Sequence, residues 1–272
     1  FILSALAQDL RLDGRTLNEM RRPKLVLGED DGYCECLLGK TRVAAQISAA
    51  LVKPRPDRPF EGLVTLVVEP SPMAGPGFDS AGGGMEESEE TISRILDKVI
   101  RKSGAVDREA LCVVAGQKVW SIRIDVHLLS SDGNLLDCAS LAITTSLRRF
   151  RRPEITLTGT TIHVHSLSER VPISLALTHL PICITFALFG DQPIIAVDPT
   201  HAERQACAGV IVVGVNGQGE ICLVSKKGGV ALGVLEVCEV TRKAVSHAKE
   251  MDGLVRKRIE VEDKKRSNER GF

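Results

Sequence analysis

Lys118-Val119-Trp120-Ser121-Ile122-Arg123-Ile124-Asp125-Val126-His127-Leu128-Leu129 leads into the turn Asp132-Gly133-Asn134 and then into the run 135–148, rich in Leu and Ala. In the first stretch Val119, Ser121, Arg123, Asp125 and His127 fall on one face of a period-two pattern. Trp120, Ile122, Ile124, Val126 and Leu128 fall on the other. Such alternation predicts a strand with one buried face. The Asp-Gly-Asn turn and the run after it predict a helix over 135–148.

Upstream, Ile2, Leu3, Leu6 and Leu10 predict a short opening helix over 2–10, broken at Asp13-Gly14-Arg15. Strands are predicted at 24–28, 33–38, 42–52 and 62–68, with Gly39-Lys40-Thr41 as a hairpin turn. Residues 70–84 hold three Pro and five Gly around Met73 and Phe78, which predicts a loop. Glu86, Glu87, Glu89 and Glu90 then open a helix running to about Lys102, where acids oppose the macrodipole favourably. Ile92, Ile95, Leu96 and Val99 give that helix its apolar face.

Downstream, Pro153 resets the pattern. Strands are predicted at 154–158, 161–165, 180–188 and 193–197. Asp198-Pro199-Thr200 caps a short helix to about Cys207. Asn216-Gly217 joins strands 209–215 and 219–225 as a hairpin, and a closing helix covers about 230–250. Strands then helix, twice over, is a mixed α/β (α+β) organisation of two halves meeting near 150–155. Residues 254–270 are dense in charge and predict a solvated or disordered extension.

Thirty-five basic and 35 acidic residues cancel, so no global positive field draws in nucleic acid. Any RNA contact would have to come from local patches. Eight scattered cysteines include one close pair, Cys34 and Cys36, on one face of a strand. No second pair repeats at zinc-finger spacing, so buried free thiols are expected, and no metal. His163 and His165 share a strand face without a third ligand. No apolar run approaches the roughly 20 residues of a membrane span. The expected location is cytosolic or nuclear.

Arg11-Leu12-Asp13-Gly14-Arg15, Gly39-Lys40-Thr41-Arg42-Val43 and Val114-Ala115-Gly116-Gln117-Lys118-Val119-Trp120 together resemble the RNase PH family. So do Ile122–Leu129 with Asp132-Gly133-Asn134, Phe150-Arg151-Arg152-Pro153 and Val197-Asp198-Pro199-Thr200. The resemblance covers about residues 5–250 and is closest to the inert type of eukaryotic RNA exosome ring subunit. It implies an RNase PH-like domain over 1–250, in halves of about 1–152 and 153–250, with a charged extension over 251–272. Two βα-type halves with mixed sheets and helices packed between them are the implied fold. The implied partners are other RNase PH-like ring subunits, cap subunits with RNA-binding domains, an attached hydrolytic exoribonuclease and single-stranded RNA. Nucleus, nucleolus and cytoplasm are the implied locations, and no cofactor is implied.

Phosphorolysis needs a phosphate held by positive charge, and an acid at the leaving oxygen. Active members carry Asp-Gly-Gly-Thr-Arg at the phosphate site. Here Asp132-Gly133-Asn134-Leu135-Leu136 puts leucines at the hydroxyl and arginine positions. A phosphate desolvated beside them lacks a counter-charge. Arg204 and Val210 fall at the positions of two catalytic-region acids, whereas Asp198 and Glu203 read as structural. The expectation is a chain that is not an enzyme. The alternative is an active phosphate-dependent 3′–5′ exoribonuclease.

The helix over 91–102 carries Arg94, Lys98 and Arg101 at spacings of four and three, roughly one face. With Lys102 and Arg108 these are the candidate RNA contacts, set against a solvated face with pairs to Glu87, Glu90 or Asp97. Arg148, Arg149, Arg151 and Arg152 either complement a helix C-terminus or face a neighbouring subunit.

Overall fold

A computed structural model describes residues 1–71, 74, 89–158, 161–166, 169–190, 194–229 and 231–269. Most of the predicted loop, with Met73 and Phe78, lies outside these residues, as do Glu86 and Glu87. After the short helix α1 (Ile2–Leu6) come β1 (Pro23–Leu27), β2 (Tyr33–Leu38), β3 (Thr41–Val52) and β4 (Leu63–Pro70). Helix α2 (Glu89–Leu96) passes into a π-helical segment, Asp97–Lys102, before β5 (Cys112–Val114) and β6 (Lys118–Ser130). These strands form one sheet in the order β1-β2-β3-β6-β4, with β5 also against β6. Ile124 sits opposite Ile47 of antiparallel β3 and Leu66 of parallel β4, so the sheet is mixed. The alternation in β6 holds: Trp120, Ile122, Ile124, Val126 and Leu128 are buried. Val119, predicted on the polar face, is buried too, because β5 places Cys112 opposite it.

Helix α3 (Leu135–Arg149) buries every residue except Arg148. Its polar residues Asp137, Ser140, Thr144, Thr145, Ser146 and Arg149 are buried along with the apolar ones, so the helix is covered on all sides. It packs on β2 and β3 from one side and on the second sheet from the other. Short strands β7 (Arg151–Arg152), β8 (Ile155–Thr158), β9 (Thr161–Val164) and β10 (Ile173–Ser174) lead to that sheet. It contains β11 (Pro181–Phe189), β12 (Ile194–Val197), β13 (Gly209–Asn216) and β14 (Ile221–Gly228), in the order β12-β11-β13-β14 and antiparallel throughout. Mixed pairing is therefore confined to the first sheet. Hydroxyls on α3 stitch the layers: Cys183 N donates to Ser140 Oγ at 3.0 Å and Ser146 Oγ donates to Ala45 O at 3.3 Å.

The last elements are α4 (His201–Ala206) and α5 (Val234–Glu269). The disordered reading of the tail fails as far as Glu269, because the segment is helical, whereas the solvated reading holds past Ile259, where no described residue is buried. Met251, Val255 and Ile259 are buried at a spacing of four, one face of a helix. Arg258 Nε donates to Leu25 O at 3.1 Å, and Arg266 donates to Gly28 O and Glu29 O at 2.7 and 2.8 Å. High charge coexists with docking because the charged heads reach backbone oxygens while an apolar stripe faces inward. Among the described residues no helix is long and apolar enough to cross a membrane.

Gly133 sits at φ +85°, where a Cβ would lie 2.5 Å from His201 N and from Thr200 C. Both obstacles are backbone and cannot swing aside. Gly133→Ala is expected to cost roughly 2–3 kcal/mol, read as a lowered urea midpoint with unchanged slope.

Candidate functional site

The turn that opens α3 is held by a buried ionic clamp. Asp198 is fully buried with φ +50°. It accepts from Arg15 Nη1, Arg21 Nε and Arg21 Nη2, each at 2.8 Å, and from Asn134 Nδ2 at 2.6 Å. Burial alone pushes its carboxyl up, but hydrogen bonds from Arg21 and Asn134 and the charge of Arg21 hold it below its ordinary value. Beside it, Arg11 Nε and Nη2 donate to Glu203 at 2.9 and 2.6 Å. Glu203 also closes the capping box of α4, accepting from Thr200 N at 2.8 Å. Asp13 and Arg15 pair at 2.6 Å. The Arg-Leu-Asp-Gly-Arg motif is thus a structural anchor, and Asp198 and Glu203 are committed to it.

On α3, Asp137 is fully buried. Its carboxylate accepts from Thr185 N at 2.9 Å, Thr185 Oγ1 at 2.6 Å and Asn134 Nδ2 at 2.8 Å. Burial pushes it up to about 7, and the nearby Asp198 charge adds to the rise against the Thr185 and Asn134 bonds.

A crevice of about 210 Å³ opens between the halves. Leu136 and Val210 form its floor, while Arg94, Arg204, Lys226 and Lys227 bring cations to it. Of the positions that differ from the active family pattern, Leu136, Arg204 and Val210 share one cavity, whereas Leu135 is not among its lining residues. Among its described lining residues there is no carboxylate to serve as a general acid. Among the described residues no group of three His, Cys, Asp or Glu is placed to hold a metal.

The basic helix does not keep one register. The π-helical turn after Leu96 changes the spacing on which the one-face reading rested. Arg94 lines the crevice just described, whereas Arg101 and Arg108 line a second one of about 190 Å³ with Arg55 and Arg58. Arg101 pairs with Asp97, one contact at 2.8 Å, as the intrahelical reading anticipated. Arg108 Nη2 donates to Arg101 O at 2.9 Å. Lys98 and Lys102 are exposed. Arg55 and Arg58 went unread in the sequence, although Lys53-Pro54-Arg55-Pro56-Asp57-Arg58 is a visibly basic connection.

The second arginine cluster is structural within the chain. Arg151 Nη1 donates to the carbonyls of Arg148, Arg149 and Phe150 at the end of α3. Arg148 pairs with Asp252 of α5 at 2.7 Å, and Arg152 lies 5.9 Å from the Trp120 ring centroid. His165 contacts Thr156 and Glu169. All eight cysteines are free: five are buried, Cys112 and Cys222 are half-buried, and Cys238 is exposed.

Residues 19–153 match domain 1 of the 3′ exoribonuclease family, RNase PH, and residues 179–246 match its domain 2. The chain is 35% identical over 269 residues to exosome complex component rrp45 of Schizosaccharomyces pombe, covering 99% of this chain and 92% of that protein. It is 41% identical over 266 residues to exosome complex component RRP45 of Danio rerio, covering 98% of this chain and 67% of that one. Its fold superposes on a chain of the Archaeoglobus fulgidus exosome with RNA bound to the active site, at TM-score 0.78 and 26% identity, over 93% of this chain and 95% of that one. Two domain matches in the order of the two sheets, with identity running nearly end to end, make this chain a member of the RNase PH-type 3′ exoribonuclease family.

Proposed function

We propose that this chain is a non-catalytic ring subunit of an RNA exosome, supporting 3′–5′ RNA processing and degradation by completing the ring and guiding single-stranded RNA. The observation that carries the non-catalytic reading is the shared crevice of Leu136, Arg204 and Val210. Leucine stands in this crevice where the family's arginine would, and among the described lining residues no carboxylate stands by to protonate a leaving oxygen. Membership of the exosome draws on the names of the relatives. The partners are other RNase PH-like ring subunits, cap subunits with RNA-binding domains, a hydrolytic exoribonuclease and single-stranded RNA. The nucleus, nucleolus and cytoplasm are where such a subunit works.

Arg94, Lys98, Arg101, Lys102 and Arg108 are the RNA contacts of this reading. Basic groups without interleaved aromatics suit sequence-independent grip on phosphates. Lys98 and Lys102 are exposed, so truncating them is expected to leave the fold intact. Replacing both with Ala in the assembled ring is expected to lower the salt slope of single-stranded RNA binding by about 1.4. An unchanged slope removes them from the RNA path.

The deciding experiment is phosphorolysis of a 3′-tailed RNA by the purified chain with inorganic phosphate and Mg²⁺, scored as nucleoside diphosphate release. No release is expected. Release that follows this chain through purification overturns the non-catalytic reading and restores a phosphate-dependent exoribonuclease.

A further inference from the structure

A cavity of about 260 Å³ lies at the far end of α3 from the crevice already described. Leu136 lines the one and Arg148 the other, about 18 Å apart along the helix. The two share no described lining residue. Arg148 at the end of α3 meets Arg256 of α5, the connection 177–180 into β11, and the Gly217-Gln218 turn between β13 and β14. Asp252 holds the two guanidiniums together: its Oδ1 accepts from Arg148 Nη2 at 2.7 Å and its Oδ2 from Arg256 Nε at 2.8 Å. One carboxylate against two guanidiniums leaves a surplus positive charge. The turn backbone comes close to this pair, since a Cβ on Gly217 would stand 2.8 Å from Asp252 Oδ2 and 3.7 Å from Arg256 Nη2. Arg148 Nη1 is buried and has no hydrogen-bond partner among the described residues. A buried cationic donor left unanswered calls for an acceptor.

The ligand class follows from what the chain itself leaves unmatched. Both oxygens of Asp252 are engaged, so the remaining N–H groups of the two guanidiniums are left to another acceptor. A neutral ligand does not offset the surplus charge. A carboxylate brings one charge and two oxygens. A phosphate group brings a second charge and a third oxygen, and planar guanidiniums match its oxygens in pairs. The lining is mostly polar, with Thr178, His179 and Gln218 beside the arginines, and offers little to a ring or an acyl chain. We infer that this cavity binds a phosphate group, free or esterified, between Arg148 and Arg256, with Gln218 at its mouth. The inference goes beyond the ring-subunit reading and does not rest on it.

The test is calorimetric titration of the full chain with inorganic phosphate, glycerol 3-phosphate and acetate, all at one ionic strength. Saturable phosphate binding, at least about tenfold tighter than acetate, is expected. Tighter glycerol 3-phosphate identifies an esterified ligand and tighter inorganic phosphate the free ion; either result, or equality, supports the site. Arg256→Gln removes one guanidinium and is expected to weaken binding about tenfold. Gln218→Glu, at an exposed turn position, sets a carboxylate at the mouth and is expected to weaken it at least as much. Lys227→Ala, in the other crevice, is expected to leave it unchanged. All three variants are expected to keep the parent's far-ultraviolet circular dichroism spectrum. Absence of saturable binding overturns the inference, as does acetate binding equally well. Binding that survives both Arg256→Gln and Gln218→Glu, or that falls with Lys227→Ala, places the phosphate elsewhere and also overturns it. None of these results bears on diphosphate release, so the two proposals stand or fall separately.

Discussion

Asp198→Ala is expected to destabilise the fold by about 3–5 kcal/mol, the cost of leaving buried charges without their partner. Asp198 is the common acceptor of Arg15, Arg21 and Asn134, and its side chain is wholly buried. The two arginine side chains are themselves only 11% exposed, so water cannot replace the carboxylate. The contacts reach from Arg15 and Arg21 across 183 and 177 positions, tying the start of the first half to the second sheet. Asp198→Asn keeps the shape and removes only the charge, and it is expected to cost nearly as much. Urea unfolding of the three proteins measures both. A loss below about 1 kcal/mol for either variant means that the clamp is solvated and marginal.

Stability is expected to fall as pH rises from about 4 to about 7, by about 4 kcal/mol in total from Asp137 alone. Its folded value stands at about 7 against an ordinary 3.8. Below the lower value the carboxyl is neutral in both states, and its contribution is complete. Between the two values the unfolded chain ionises while the folded chain stays protonated, so unfolding is increasingly favoured. Above about pH 7 both are ionised and the loss levels off. Asp198 has the opposite sign: its folded value is lowered, so its stabilisation is present above its ordinary value and lost as pH falls. The clean readout is the difference between the parent and Asp137→Asn, measured by urea unfolding at about pH 5 and about pH 7.5. The asparagine keeps an acceptor for Thr185 N and a donor for Thr185 Oγ1, and it does not titrate. A difference that does not change with pH removes the titration of Asp137 from the account.

The strands and helices of both sheets were legible because their patterns are long. Thirteen residues of β6 and fifteen of α3 give periodicity room to show. The short strands β7 and β10 hold two residues each, too few for any period. The opening helix stopped at Leu6, short of its predicted end, and Asp9 takes a left-handed backbone at φ +57°. Leu136, Arg204 and Val210 were legible through motif resemblance. Their meeting with Lys226 and Lys227 was not, because the crevice is assembled from elements far apart in sequence. The π-helical turn has no compositional signature, and it separated Arg94 from Arg101 despite a helical spacing. The tail misled because its apolar residues, four apart, are diluted by charge.

Helix α5 also sets an order of events. Arg258 reaches the backbone of Leu25 across 233 positions, and Arg266 reaches Gly28 across 238. At about 5–20 residues per second, a ribosome takes on the order of 10–50 seconds to deliver Arg258 after β1 has emerged. Throughout that interval the outer edge of β1 lacks its cover, and an open edge invites pairing with other chains. The nascent chain is therefore most prone to aggregation late in its own synthesis, after the first sheet has formed and before its edge is closed.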